Sequence, residues 1–483
     1  MKKNHSLASI FGSRSLREAL SASITAMLGF SACSGSDVQQ AAPAGAATSL
    51  SRSGAAVRGL PIQLRDSETG LGIQGLVAVR QKSTGLLIGR HEVAVAGASQ
   101  LEVPQEAALL QISAPGHQPL ETNIEAGELL PTTVLLDPEA PAAEMSREAI
   151  LGQVKEGFAL LHGHVVNAAS GAPIEGATVR LANGLPSTQT NGRGYFTLHA
   201  PVAKTAPDEL PAAESLIVEK AGYKTFTLSR TLLAAGATHF AIDLVAGAGK
   251  TSSDDMHKIA QAEAGPLPDI APPAEVAAQA AASPVAAVVA VPLKSSIRVG
   301  TSCSCTTCSG VSVLSAETYV KRGLNDEWIA SWDADSLRAG AVAYRSYGQW
   351  YAYHPIKSSY DICSSTCCQV NDSDTHTNTD QAVNDTASVV VQKSGAVFRS
   401  EYAAENNGNA CANGYTGAPA ASWPCMADST CKGSTFNGHG RGMCQWGSQR
   451  WATSGKDWVW ILNHYYNNNG SPSGARSATI GNH

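Results

Sequence analysis

Charge is scarce in this chain. Only 15% of its residues are Asp, Glu, Lys or Arg, and the formal net charge is −6. Lys and Arg form no basic stripe, so a nucleic-acid partner is not expected, and no block of like charge makes an acidic tail. Long apolar runs are scarce near the N-terminus too. The stretch from Ala19 to Ala32 is broken by Ser21, Ser23 and Ser31 and is too short to span a bilayer as a mature helix. Cysteine is missing between positions 34 and 302. Of eleven cysteines, Cys33 stands alone and the other ten all lie from Cys303 onward.

What is there begins with Met1-Lys2-Lys3, Arg14 and Arg17 ahead of that apolar stretch, the layout of a secretory signal peptide. It ends Phe30-Ser31-Ala32-Cys33, which resembles a lipoprotein processing box with Cys33 as the lipidated residue. The expectation is an exported, membrane-anchored lipoprotein of the cell envelope whose anchor is acyl chains rather than a helix. An even set of ten cysteines confined to one region of an exported chain reads as a disulfide framework.

At 483 residues the chain has room for about three domains. Residues 1–33 are the leader, and 34–57 are an Ala/Gly/Ser tether that cannot bury a core. Residues 58–138 and 158–246 read as two copies of an all-β sandwich. In the second, Ser170-Gly171 turns into the alternating strand Thr178-Val179-Arg180-Leu181. Thr190-Asn191-Gly192-Arg193-Gly194 reads as a hairpin turn leading to the return strand Tyr195–Leu198, because Asn-Gly tolerates positive φ. The first copy repeats the landmarks at Thr69–Gly75 and Leu110–His117. Both resemble the carboxypeptidase regulatory-like module, and neither carries a catalytic constellation. Strand histidines at 162, 164 and 199 read as inert surface residues rather than metal ligands. Residues 247–295 form an Ala/Pro-rich linker, and 296–483 form the last domain.

Two helices are written into that domain between Tyr319 and Tyr351. The first places Tyr319, Val320, Gly323 and Leu324 on one face. Asp333 offers an N-cap to the second, which carries Leu337, Gly340, Ala341, Tyr344, Gly348 and Tyr351 on one stripe. A stripe so rich in small residues requires something to pack very close to it. This stretch resembles the SpoIID/LytB family: Tyr319, Val320, Leu324, Glu327, Ser331, Trp332, Leu337, Ala339, Ala341, Val342, Ala343, Arg345 and Tyr347 fall in register without a gap. Further matches follow in order at Cys363 and Cys368-Gln369-Val370, at Gly438-His439-Gly440-Arg441-Gly442-Met443, and at Ile461-Leu462-Asn463-His464-Tyr465-Tyr466. Departures include Arg322-Gly323, Trp328-Ile329, Asp333 and Gly340. None removes the acidic residue.

The resemblance implies a multidomain protein in which two all-β sandwich modules precede an α+β SpoIID-like catalytic domain. It implies a peptidoglycan lytic transglycosylase that cleaves the β-1,4 MurNAc–GlcNAc bond of glycan strands, needs no cofactor or metal, and leaves a 1,6-anhydro product. Glu327, flanked by Trp328 and Trp332, would be the acid and then the base. His439 would sit beside the scissile bond. Arg345, Tyr347, Asn406, Asn407, Gly408, Gly438, Gly440 and Gln445 are the candidate substrate-binding or orienting residues. Hydrolytic glycosidases pair two carboxylates, and Asp326, Asp333, Glu401 and Glu405 stand as candidates for a second, so a two-carboxylate muramidase is an alternative. A non-catalytic wall-binding regulator that stimulates an amidase is another, with other cell-wall hydrolases as partners. Cys363, Cys367 and Cys368 with His354, or Cys303, Cys305 and Cys308, could instead hold zinc, although disulfides are the simpler account. A thiol-protease pair of Cys444 and His439 is disfavoured, because Cys444 replaces a family Ser.

Overall fold

The computed structural model describes residues 57–184, 186–206, 209–254, 291–393, 395–405, 428–431, 433–434, 437–438, 440, 442–467 and 479–482. An N-terminal half that is β-stranded apart from a short helical stretch between its two modules is followed by a part in which helices and strands mix, as expected for two sandwich modules and an α+β domain.

Several strands of the first sandwich bury alternate residues. Along Val57–Asp66 the buried side chains include Leu60, Ile62 and Leu64, the period-two signature of a strand with one face on a core. The first module has a four-stranded sheet in the order Leu87–Val93, Gly75–Gln81, Ala108–Ser113, Leu120–Ile124. Its second sheet does not close on itself. The order Ser99–Pro104, Val57–Asp66, Thr132–Leu136 continues directly into Thr307–Ser315, Ser296–Ser304 and Ile362–Cys363. Thr132, Thr133 and Val134 pair in parallel with Val311, Ser312 and Val313, so the first module and the last domain share one six-stranded sheet.

The second module does the same. Its four-stranded sheet runs Tyr195–Pro201, Phe158–Asn167, Gly236–Leu244 and then Asp374–His376 from the last domain. Its five-stranded sheet ends on Lys250–Asp254. That strand lies within the stretch expected as linker and pairs in parallel with Thr225–Leu232. The expected hairpin at Asn191 differs in kind. Ser187–Gln189 pairs within the five-stranded sheet, whereas Tyr195–Pro201 pairs with Phe158–Asn167 in the other, so the turn is a corner between two sheets. Positive φ falls on Gly194 alone of the five turn residues, at 74°. Asn191 instead ties the corner with its side chain, accepting from the backbone N–H of Arg193 and Tyr195.

Six helices are described: α1 Arg147–Leu151, α2 Ala316–Glu327, α3 Ala334–Tyr353, α4 Thr377–Asp385, α5 Gln445–Thr453 and α6 Trp458–Tyr466. Asp333 caps α3 as expected, its side chain accepting from Asp335 N. The small-residue stripe of α3 receives α2. A Cβ on Gly340 would come within 2.6 Å of the Trp328 ring, and one on Gly348 within 2.3 Å of the Tyr319 ring. Tyr319, Trp328 and Tyr344 are consequently buried at 0–1% exposure. Among the described residues there are three disulfides: Cys303–Cys308 closes the hairpin of Ser296–Ser304 and Thr307–Ser315, Cys363–Cys368 lies within the segment that follows α3, and Cys305–Cys367 ties the two together.

Candidate functional site

Glu327 is the last residue of α2, where the helix stops because Trp328 turns to extended backbone. Its side chain is fully buried. Oε1 accepts a hydrogen bond of 3.0 Å from the backbone N–H of Val370. The backbone carbonyl of Glu327 accepts from Gln445 Nε2 at 2.6 Å, so the first turn of α5 holds the end of α2. Trp328 donates from Nε1 to Ser448 Oγ at 3.3 Å and meets the Tyr402 ring edge-on at 4.9 Å. Trp332 packs on Trp446 at 4.8 Å. Trp328 thus packs on Tyr402, and Trp332 on Trp446.

Three tyrosines complete the surroundings. Burial, and after it the Glu327 carboxylate, push the Tyr402 phenol well above its ordinary value. Tyr319 and Tyr344 are raised by burial as well, and each also feels Glu327. All three are therefore neutral phenols at any physiological pH. They are wired to the segment Gln369–Asn371. Tyr319 Oη donates to Gln369 Oε1, Gln369 Nε2 to Tyr402 Oη at 2.7 Å, Tyr344 Oη to Val370 O at 2.8 Å, and Asn371 Nδ2 to Tyr344 Oη at 3.1 Å. One residue further, Asp372 N donates to Asp326 Oδ2 at 2.7 Å. Residues 369–372 thus lie along the end of α2 and present backbone amides to both of its terminal carboxylates.

The glycine-rich turn is held beside this centre. Tyr402 and Ala403 pair in parallel with Met443 and Cys444, Met443 N donates to Glu401 O at 3.0 Å, and Glu405 and Asn437 exchange both backbone hydrogen bonds at 2.9 Å. Gly438, Gly440 and Gly442 all have positive φ. At Gly442 a Cβ would lie 1.7 Å from Glu401 O, so only glycine lets the turn approach so closely. Gly438 and Gly440 lie on this turn, which the bonds between Glu405 and Asn437 and from Met443 to Glu401 attach to the strand carrying Tyr402. His439, Asn406, Asn407 and Gly408 lie outside the described residues, as does Cys33.

Arg345 is placed elsewhere. It is 1% exposed and donates to both carboxylate oxygens of Glu317 at 2.9 and 2.7 Å and to the carbonyls of Val383 and Val389. It joins the start of α2 to α4 and the strand after it. The Tyr347 ring meets those of Tyr351 and Tyr402 at a tilt, with centres 5.1 and 6.2 Å away. The other candidate carboxylates have partners of their own. Asp333 caps α3, Glu401 pairs with Arg399 at 2.6 Å inside the protein, and Glu405 pairs with Arg450 at 2.8 Å.

Among the described residues, two clusters have the composition of cation sites. Asp326, Asp372 and Asp374 bring carboxylate oxygens within 4.8 Å of one another, and burial, with Asp372 next, pushes Asp374 up to about 7. Glu405, Cys431 and Cys444 converge to the same limit, their two sulfurs 3.0 Å apart. The cysteines considered for zinc at 363, 367, 368, 303, 305 and 308 are all in disulfides. His354 stacks on Trp350 instead, at 4.3 Å.

The Val370 amide was not among the residues the sequence singled out, since a backbone donor carries no residue signature. The Cys-Gln-Val match was its only trace.

Fold and site define a multidomain protein whose sandwich sheets run on into an α+β domain built round a buried acid. Residues 305–392 match the family model described as Stage II sporulation protein, SpoIID, which supports that family and a cell-wall-related function. No curated protein matches. Among solved structures, the chain is similar to the Bacillus anthracis TIE protein (12% identity, 41% of this chain and 33% of that one, TM-score 0.14). It is also similar to 3-chlorocatechol 1,2-dioxygenase from Rhodococcus opacus (14%, 21% and 61%, TM-score 0.13) and to the shaft pilin SpaA of Lactobacillus rhamnosus GG (7%, 41% and 98%, TM-score 0.14). The chain thus spans a third of the first and less than two thirds of the second, and the superpositions are too poor to bear on function.

Proposed function

We propose that the last domain is a peptidoglycan lytic transglycosylase with Glu327 as its single catalytic carboxyl. The observation that carries the reading is the setting of that carboxyl, enclosed by Trp328, neutral tyrosines and one backbone N–H at Val370. A carboxyl positioned in an enclosed setting of this kind is what general acid–base catalysis of glycosidic cleavage needs. Glu327 gives its proton to the glycosidic oxygen as the C1–O4 bond breaks. The resulting carboxylate takes the proton of the sugar's own 6-hydroxyl, whose oxygen bonds to C1 and closes the 1,6-anhydro ring. No water is consumed. The partners found for Asp333, Glu401 and Glu405 favour this route over a two-carboxylate muramidase. Because Glu327 is fully covered, glycan binding must first part the side chains above it.

That same complete burial favours a second reading, a wall-binding regulator in which Glu327 is structural. Incubating the purified full chain with sacculi and with peptide-free glycan strands separates the two by product mass. Anhydro-ended fragments that fall about 10²–10⁴-fold in Glu327→Gln, with an unchanged melting temperature, are expected. Binding without cleavage supports the regulator, and reducing ends support the muramidase. Export and acylation at Cys33 belong to the same proposal, and the three disulfides agree with an oxidising compartment. The acyl chains would anchor the protein to the membrane, and the sandwiches would set the distance to the wall.

A further inference from the structure

The strand histidines are not surface residues, since His162 and His164 are 1% exposed, but they do not bring ligand atoms to a common centre. Two sulfurs of the last domain do converge. Cys431 and Cys444 are thiols, 0% and 1% exposed, and their Sγ atoms stand 3.0 Å apart. Unbonded carbon atoms already rest about 3.5–4.0 Å apart, and sulfur is larger. Two thiolates sharing a tetrahedral zinc, each at about 2.3 Å from it, would stand roughly 3.8 Å apart. The observed spacing is too short for either and lies about 1 Å from a covalent S–S bond.

The surroundings argue against an ion as well. Glu405 completes the cluster, but its carboxylate already has a cation, Arg450, at 2.8 Å. The same guanidinium donates to Cys431 Sγ at 3.3 Å. Both sulfurs are held in place before any bond forms. Cys444 caps α5, its Sγ accepting from Gly447 N at 3.2 Å, and its strand partner is Ala403. Cys431 ends the turn Ser429–Cys431, its N–H donating to Asp428 O at 3.1 Å. The Asp428 carboxylate accepts in turn from Trp451 Nε1 on α5 at 3.1 Å and from Tyr465 Oη on α6. Closing the pair therefore needs little more than a side-chain rotation. Both sulfurs are covered, so the bond forms while the chain folds and is shielded from reductant afterwards.

We propose that Cys431 and Cys444 form a disulfide that fastens the first turn of α5, from which Gln445 reaches the Glu327 carbonyl, to the segment that carries Asp428. The step is thiol–disulfide exchange with an external disulfide. One cysteine attacks it and releases a reduced thiol, and the other then displaces the second. Two electrons pass from the protein sulfurs to the external disulfide, and the two protons leave on the released thiols. The bond does not depend on the transglycosylase reading. The test refolds the reduced full chain in mixed oxidised and reduced glutathione, blocks remaining thiols with an alkylating agent in urea, and digests without reductant. Cleavage after Lys and Arg and before Asp separates Cys431, in peptide 428–432, from Cys411 and Cys425 and from Cys444, in peptide 442–450. The expected product is those two peptides joined, two hydrogens lighter than their sum. Cys444→Ser keeps a capping oxygen. In it Cys431 is alkylated, and the amides of α5 lose hydrogen-exchange protection while those of α3 keep theirs. Alkylation of both cysteines in the wild type overturns the proposal. So does either one linked to Cys411 or Cys425, zinc recovered with the pair, or unchanged α5 protection in Cys444→Ser.

Discussion

Glu327 is fixed from both ends, by the Val370 amide on its side chain and by Gln445 on its carbonyl. The residue after it sets the depth of the pocket. Trp328 is 0% exposed and lies flat enough against α3 that a single methyl at Gly340 would intrude to 2.6 Å of its ring. Its indole cannot slide without breaking the contact to Ser448. Gly340→Ala is therefore expected to destabilise the fold by about 1–3 kcal/mol through overpacking and to lower glycan cleavage with it, both read from a urea midpoint and an assay on sacculi. An unchanged midpoint would mean that Trp328 has room to move. The stripe containing Gly340 and Gly348 was legible in the sequence as a demand for close packing. The identity of the packed rings was not, because helical periodicity names a face and says nothing of which residue arrives on it.

The segment from Cys363 to Asp372 works as a clamp on the end of α2. Two disulfides at Cys367 and Cys368 hold it to Cys305 and Cys363, and it then delivers the amides of Val370 and Asp372 to Glu327 and Asp326. Replacing Cys305 and Cys367 by Ser opens a loop of 62 residues. A loss of about 4 kcal/mol is expected from chain entropy, measured by urea unfolding under non-reducing conditions. If the clamp positions Glu327, cleavage falls further than stability alone accounts for at temperatures where the variant remains folded. Disulfides were legible from the clustering of cysteines, whereas their role beside the acid was not. The corner at Asn191 shows a different limit. Residues Tyr195–Leu198 have an alternation that fits either sheet, so the sequence revealed a strand there but not its neighbour.

Composition divided the chain into two sandwiches, a spacer and a last domain, yet strand pairing joins them. The sheet containing Thr132–Leu136 continues into Thr307–Ser315, and the sheet containing Gly236–Leu244 takes up Asp374–His376. Hydrogen bonds between distant strands leave no compositional mark, which is why this fusion could not be read in advance. Its consequence is a cavity of about 630 Å³ walled by residues of all three parts, among them Glu68 and Asp380. Burial, then Asp66, pushes Glu68 up to about 7, against Lys321. Burial likewise raises Asp380 to about 6, with Lys321, Thr375 and Arg147 opposing. Both folded-state values lie above those of the unfolded chain, so the folded state holds more protons in between. Their contribution is intact below about pH 4 and is lost as pH rises through about 6 to 7. Glu68→Gln removes one of these carboxyls and keeps its shape. The variant is therefore expected to gain on the wild type as pH rises from 5 to 8, by roughly 2 kcal/mol after allowance for partial exposure. Paired urea midpoints across that range measure the difference directly, since every other titrating group cancels. A difference independent of pH would show that Glu68 is solvated in solution and that the three parts do not close around it.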